Sequence, residues 1–163
     1  MTPIQFAAAL EASIRQEFES MIERAPQELG PLFIKLSKVQ TEFELLLDRA
    51  QGINPELPQY PDVDQQELIG SDEEWRILTR DFADAPNKSI ICLILLLAAV
   101  EFLDKSEQFY RQAAVNSAHP TTKFFISSMA EVKAILRRRV DGVLRVMYNQ
   151  AWGELGFAPF TKD

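Results

Sequence analysis

Apolar residues recur every three or four positions through four long stretches of this 163-residue chain, and the breaks between those stretches are short, long and short. That pattern constrains the fold more than any single motif, because a period near 3.6 demands helices and a short break forces the two helices beside it to run antiparallel. The first stretch spans about Pro3 to Arg24, with Thr2 as cap, Pro3 at the first helical position, and Ile4, Phe6, Leu10, Ile14, Phe18, Met21 and Ile22 in its stripe. Ala25-Pro26 ends it, since a residue before proline is pushed out of the α region. The second begins near Gln27 or Pro31 and carries Leu32, Phe33, Leu36, Val39, Phe43 and Leu47 as far as Ala50, with Gly52 as its stop.

From Gly52 to about Lys88 the periodicity fades. Pro55, Pro58, Pro61 and a cluster of Asp and Gln argue against a regular element as far as Gly70. Ser71-Asp72-Glu73-Glu74 then reads as the start of a short helix that buries Trp75, Ile77, Leu78 and Phe82 and ends before Pro86. The third long stretch, Lys88 to Ser117, opens with Ser89 or Asn87 as cap and is apolar all round over its first half, which predicts that this half lies in the middle of the fold. After the break at His119-Pro120-Thr121-Thr122, the fourth carries Phe125, Met129, Val132, Leu136, Val140 and Leu144 to Met147 or Trp152. No β-alternation of useful length occurs. The expected fold is all-α and a single domain: hairpin one over residues 3–51, a crossover over 52–88 with one short helix, hairpin two over 88–152, and a tail over 153–163.

The residue inventory excludes several functions. A net charge of −7 opposes binding to a phosphate backbone, so no nucleic-acid partner is expected. The single cysteine, Cys92, cannot form an internal disulfide or a rubredoxin-type iron site, and the single histidine, His119, excludes sites built on two imidazoles. The longest apolar run, Ile90 to Val100, has 11 residues against the ~20 of a membrane span, so no membrane partner is expected. No basic leader followed by an apolar stretch opens the chain, and a cytoplasmic location is the default expectation.

The two hairpins can be laid over one another. Glu11 to Gln40 is 29 residues and Leu103 to Lys133 is 30. The strings Glu11-Ala-Ser-Ile-Arg15-Gln-Glu-Phe18, Phe33-Ile-Lys-Leu-Ser37, Phe109-Tyr110-Arg-Gln-Ala-Ala114 and Met129-Ala130, together with this layout, resemble the rubrerythrin branch of the ferritin-like superfamily. The resemblance implies a ferritin-like four-helix bundle. It also implies that each half descends from a helix donating one Glu followed by a helix donating Glu-x-x-His, a set that holds two irons in the bundle core. Carried onto this chain, the six ligand positions are Glu11, Gln40, Phe43, Leu103, Lys133 and Leu136. One carboxylate of four survives and neither imidazole does.

Two readings of those positions follow. In the first, the metal site is degenerate and no cofactor is expected: Glu11 and Lys133 point into one interior layer, within the ~4 Å of a salt bridge, with Arg15 and Gln40 completing the hydrogen bonds. Its counterpart places Lys133 on the surface of the fourth helix. In the second, a shifted register recruits Glu44, Glu101 and Glu131 beside Glu11 into a carboxylate-rich site for iron or manganese; these carboxylates otherwise occupy solvated faces.

Other residues add less. His119 suits a solvated or capping role in its turn, and Cys92 that of a small buried hydrophobe with a raised pKa. Arg137, Arg138 and Arg139 fan out by ~100° each, so a solvated face with ion pairs is expected of them and not one anion patch. Trp152, Phe157 and Phe160 make the tail apolar, which suggests a homodimer or another protein covering it. The function expected is that of a non-catalytic binding or structural module. The alternatives are a rubrerythrin-like di-metal oxidoreductase acting on peroxide, and a helical adaptor unrelated to that family.

Overall fold

The computed structural model describes residues 2–53, 59–86 and 88–154 of the chain, and among these every regular element is helical. Helix α1 spans Pro3–Arg24, α2 Gly30–Gln51, α3 Gln65–Ile69, α4 Asp72–Asp84, α5 Ile90–Val115 and α6 Pro120–Glu154, with a single 3₁₀ turn at Gln27–Leu29. Local chemistry sets most of these limits. At α1 the Thr2 hydroxyl accepts from the Gln5 amide and the Gln5 side chain accepts from the Thr2 amide, a reciprocal cap that satisfies two donors the helix leaves open. Ser71 and Glu74 repeat the device at α4. Ser89 holds the capping position of α5 without a side-chain capping bond, and Asn87 lies outside the described residues.

Contacts between named residues fix the directions of the long helices. Glu11 meets Gln40 and Phe18 meets Phe33, so α1 and α2 are antiparallel. The Phe6 ring lies near that of Phe109 and the Phe18 ring edge-on to that of Phe102, so α1 and α5 are antiparallel too. Arg111 reaches Glu131 while Glu107 reaches Arg137, which makes α5 and α6 antiparallel. The order is therefore up, down, down, up. Helices α2 and α5 run the same way, so the segment between them must return the length of the molecule.

That segment climbs the outside of α6. Tyr60 stacks on Phe125 with ring centres 4.7 Å apart, Asp72 pairs with Arg139, and the Ala83 carbonyl accepts from Gln150. Two helices lie in it rather than the one expected. Asp64 caps α3 by accepting from the amides of Gln66 and Glu67, and the α3 residues Leu68 and Ile69 are buried. The Asp-Gln cluster that argues for irregular structure thus contains a helix start. Between α3 and α4 the chain turns at Gly70, whose φ of 88° an L side chain rarely adopts. The turn returns Trp75 under Ile69, where its indole N–H donates to the Ile69 carbonyl at 2.6 Å. Residues 54–58, including Pro55 and Pro58, lie outside the described residues, as does the tail from residue 155 with Phe157 and Phe160.

One core joins all four long helices, from Ile14 and Phe18 on α1 through Leu36 and Phe43 on α2 and Leu96 and Leu103 on α5 to Met129 and Val140 on α6. The first half of α5 departs from expectation. Cys92, Leu95, Leu96 and Ala99 are buried, but Ile90, Ile91, Ile94 and Leu97 are exposed. Helix α5 packs against α6 and α1, and among the described residues nothing covers the rest of its apolar surface. Phe6 on α1 and Ile77 on α4, expected in buried stripes, are exposed as well. No described helix is long and apolar enough to cross a membrane.

Candidate functional site

The interior layer halfway along the bundle is polar. Glu11, Gln40, Ser106 and Lys133, one from each long helix, are completely buried and meet there together with Tyr110. Each comes inward because it falls on its helix's apolar stripe. Glu11 lies between Ala7 and Ile14, Gln40 between Leu36 and Phe43, and Lys133 between Ala130 and Leu136, all buried at spacings of three or four.

Every polar atom in this cluster is used. Lys133 Nζ donates to Glu11 Oε2 at 2.6 Å and to Gln40 Oε1 at 3.0 Å, and it stands 3.9 Å from the centre of the Phe43 ring. Three directions thus match the three N–H bonds of an ammonium. Glu11 Oε2 also accepts from Gln40 Nε2 at 2.5 Å, while Oε1 accepts from Tyr110 at 2.8 Å and from Ser106 at 3.2 Å. Gln40 Nε2 lies in addition 3.3 Å from the Glu11 carbonyl. Four donors converge on one carboxyl group, the full capacity of its ionised form. With an ammonium beside it the charge is balanced inside the protein.

Two groups in the layer have displaced proton affinities. Burial pushes the Lys133 ammonium below its usual value of 10.5, and the neighbouring Glu11 opposes that shift. Burial, then the Glu11 charge and hydrogen bond, hold the Tyr110 phenol well above its usual value of 10.

The six positions carried over from the resemblance, Glu11, Gln40, Phe43, Leu103, Lys133 and Leu136, are all fully buried. The Lys133 surface reading is thereby set aside, and Glu11, Gln40 and Lys133 stand together. Arg15 does not join them. Its Nε donates to Glu44 at 2.6 Å and its Nη1 to Glu19 at 2.8 Å, at the edge of the α1–α2 seam. The buried stripe of α1 continues through Ile14 and Phe18, one position off Arg15, so the guanidinium is turned outward. Ser106 and Tyr110 were not assigned to the layer from the sequence, although they follow Leu103 at spacings of three and four on the same inward face of α5.

The carboxylate-rich alternative does not assemble. Glu44 is held by Arg15, Glu101 lies exposed beside Lys105, and Glu131 lies exposed beside Arg111. Among the described residues no group of three or more His, Cys, Asp or Glu side chains could hold a metal ion. Two irons need several carboxylates and imidazoles converging from facing helices. This interior supplies one carboxylate, and an ammonium and three neutral donors already fill it. The residues present do not fit the metal pair that the resemblance implies.

The remaining candidates are peripheral. His119 is exposed, with its Nδ1 accepting from the Thr121 amide at 3.2 Å. Cys92 is buried, and burial raises its thiol pKa. Arg137 binds Glu107 at 2.9 Å with Arg111 on the other side, and these two guanidinium hydrogen bonds outweigh the burial that would raise the Glu107 pKa and hold it below the usual value. Compared with protein families, curated proteins and solved structures, the chain matches none.

Two predictions follow from the layer's chemistry. Lys133→Met leaves Glu11 charged and unpaired in the interior and should cost about 3–5 kcal/mol in urea unfolding. Adding Glu11→Gln, which removes that charge and keeps an acceptor for Tyr110, should restore most of the loss; a double variant no better than Lys133→Met would contradict the pairing. A phenol whose folded pKa is raised contributes stability that is present below pH 10 and is lost as pH climbs toward the folded value. Unfolding measured from pH 9 to 12 should therefore decline less steeply for Tyr110→Phe than for the unaltered chain, because only the latter loses protons from residue 110 on unfolding.

Proposed function

We propose that the chain is a ferritin-like four-helix bundle of the rubrerythrin type whose interior has exchanged metal binding for a charged hydrogen-bond layer, and that it acts as a non-catalytic binding or structural module. The observation that carries this reading is the Glu11–Lys133 pair, 2.6 Å long and completely buried. An ammonium there supplies the positive charge that metal ions supply in the family it resembles, so the surviving carboxylate is neutralised without a cofactor. The up, down, down, up order of the long helices and the joint burial of all six ligand-equivalent positions support the same reading.

Gln40 and Lys133 occupy equivalent places in the two hairpins and hydrogen-bond to each other at 3.0 Å, as residues near the axis relating two matching halves would. A peroxide-reducing di-metal role finds no comparable support, because Glu44, Glu101 and Glu131 are each engaged by a different cation, Arg15, Lys105 and Arg111. The homodimer expected from the sequence belongs to this proposal as well. The exposed row Ile90, Ile94 and Leu97 on α5 is the described surface that supports it.

Metal analysis of the full chain purified after expression in iron- and manganese-replete medium, with a visible and near-ultraviolet absorption scan, tests the loss of the metal site. The expected result is metal far below one equivalent per chain and absorption from aromatic residues alone. Two equivalents of iron or manganese would overturn the proposal.

A further inference from the structure

On the outer face of this acidic chain, a groove of about 740 Å³ between α4 and α6 gathers four arginines. Arg76 and Arg80 stand one turn apart on α4, and Arg138 and Arg139 follow one another on α6. The triple-arginine run fans out as its helix requires. Arg137 turns to Glu107, while the other two meet a second pair that the crossover brings alongside.

Charge in the groove is incompletely matched. Arg76 pairs with Glu73 at 2.7 Å, Arg80 approaches Asp81 at 3.7 Å, and Arg139 gives Nη2 to Asp72. These carboxylates are all more than half exposed, and solvent-screened surface pairs of this kind hold their partners weakly, so a ligand can displace them. Arg138 has no ion pair among the described residues. Among the described residues the Nε–H of Arg139 is buried without an acceptor, an arrangement that disfavours the empty groove. Gly142, one turn beyond, leaves open space where a Cβ would stand, so the α6 backbone is approachable from the groove.

We propose that this groove binds a small, multiply charged phosphate ligand of two or more phosphate groups. Guanidinium forks arriving from two helices call for acceptor oxygens that point in several directions, as tetrahedral phosphates offer and a planar carboxylate does not. A net charge of −7 over the whole chain disfavours a long polyanion and leaves a compact one, seated where the local charge is positive. The groove lies outside the interior layer, so this inference stands apart from the ferritin-like reading.

Isothermal titration of the full chain with inorganic pyrophosphate at low ionic strength tests it. One site per chain is expected, with affinity that falls as salt is added. Arg138→Ala, which breaks no ion pair, should weaken binding about tenfold or more, the effect of losing one charge-assisted contact. Arg145→Ala, on α6 but paired with Asp141 and not lining the groove, should leave it unchanged. Unaltered circular dichroism and melting of both variants would show that the fold is intact. No heat on adding pyrophosphate, equal affinity for Arg138→Ala, or citrate binding as tightly as pyrophosphate would overturn the proposal.

Discussion

A charge in the middle of a helical bundle has to be answered from the same place. Glu11 is completely buried on α1, and a carboxylate isolated in such surroundings would cost several kcal/mol. The answer here comes from three other helices at once, with Gln40 on α2, Ser106 and Tyr110 on α5, and Lys133 on α6. Because those donors are 29, 95, 99 and 122 residues away in sequence, the layer ties together parts of the chain that local propensity leaves independent. An apolar layer of similar volume would hold the helices at least as tightly, since the pair's attraction is largely offset by its desolvation. What the polar layer adds is register: sliding any one helix by a turn would leave buried donors or acceptors without partners.

The surrounding packing makes that layer strong electrostatically and closed chemically. Phe43 lies against the ammonium, and Leu103 and Leu136 are buried where the resemblance would place two further ligands. No water-sized opening is needed to satisfy the group, because each of its side-chain polar atoms already has a protein partner. A groove open to solvent is found instead at the periphery, where the crossover lays α4 beside α6 and creates a concavity that neither helix would form alone.

Much of this was legible in the sequence, and the misses have physical causes. Helix ends could be read because their signals are local: Thr2, Ala25-Pro26, Gly52 and Ser71 act within a turn of themselves. The meeting of Glu11 with Lys133 was legible because both fall on apolar stripes at matching spacings in the two hairpins. Tyr110 and Ser106 were legible in principle, being polar residues on the inward stripe of α5, but nothing local says which of several inward positions reaches Glu11. Arg15 was misplaced for the reverse reason, since a residue four positions from Glu11 shares its general side and yet sits off the stripe by one position. The exposed isoleucines of α5 and the gathering of Arg138 and Arg139 with two arginines of α4 along one groove depend on which helix lies beside which. That is a property of the whole chain and not of any segment.

The central claim is that Lys133 lies inside the bundle as an ammonium held by Glu11. Nitrogen-15 NMR of the lysine side chains at neutral pH tests it most directly, because an ammonium bonded inside a protein exchanges its hydrogens slowly enough to be seen while solvated ones do not. The account predicts one such signal, absent in Lys133→Met, with through-space contacts to the Phe43 ring and to the Tyr110 ring or hydroxyl. A Lys133 amine in rapid exchange with water, or one with no contact to Phe43, would contradict it.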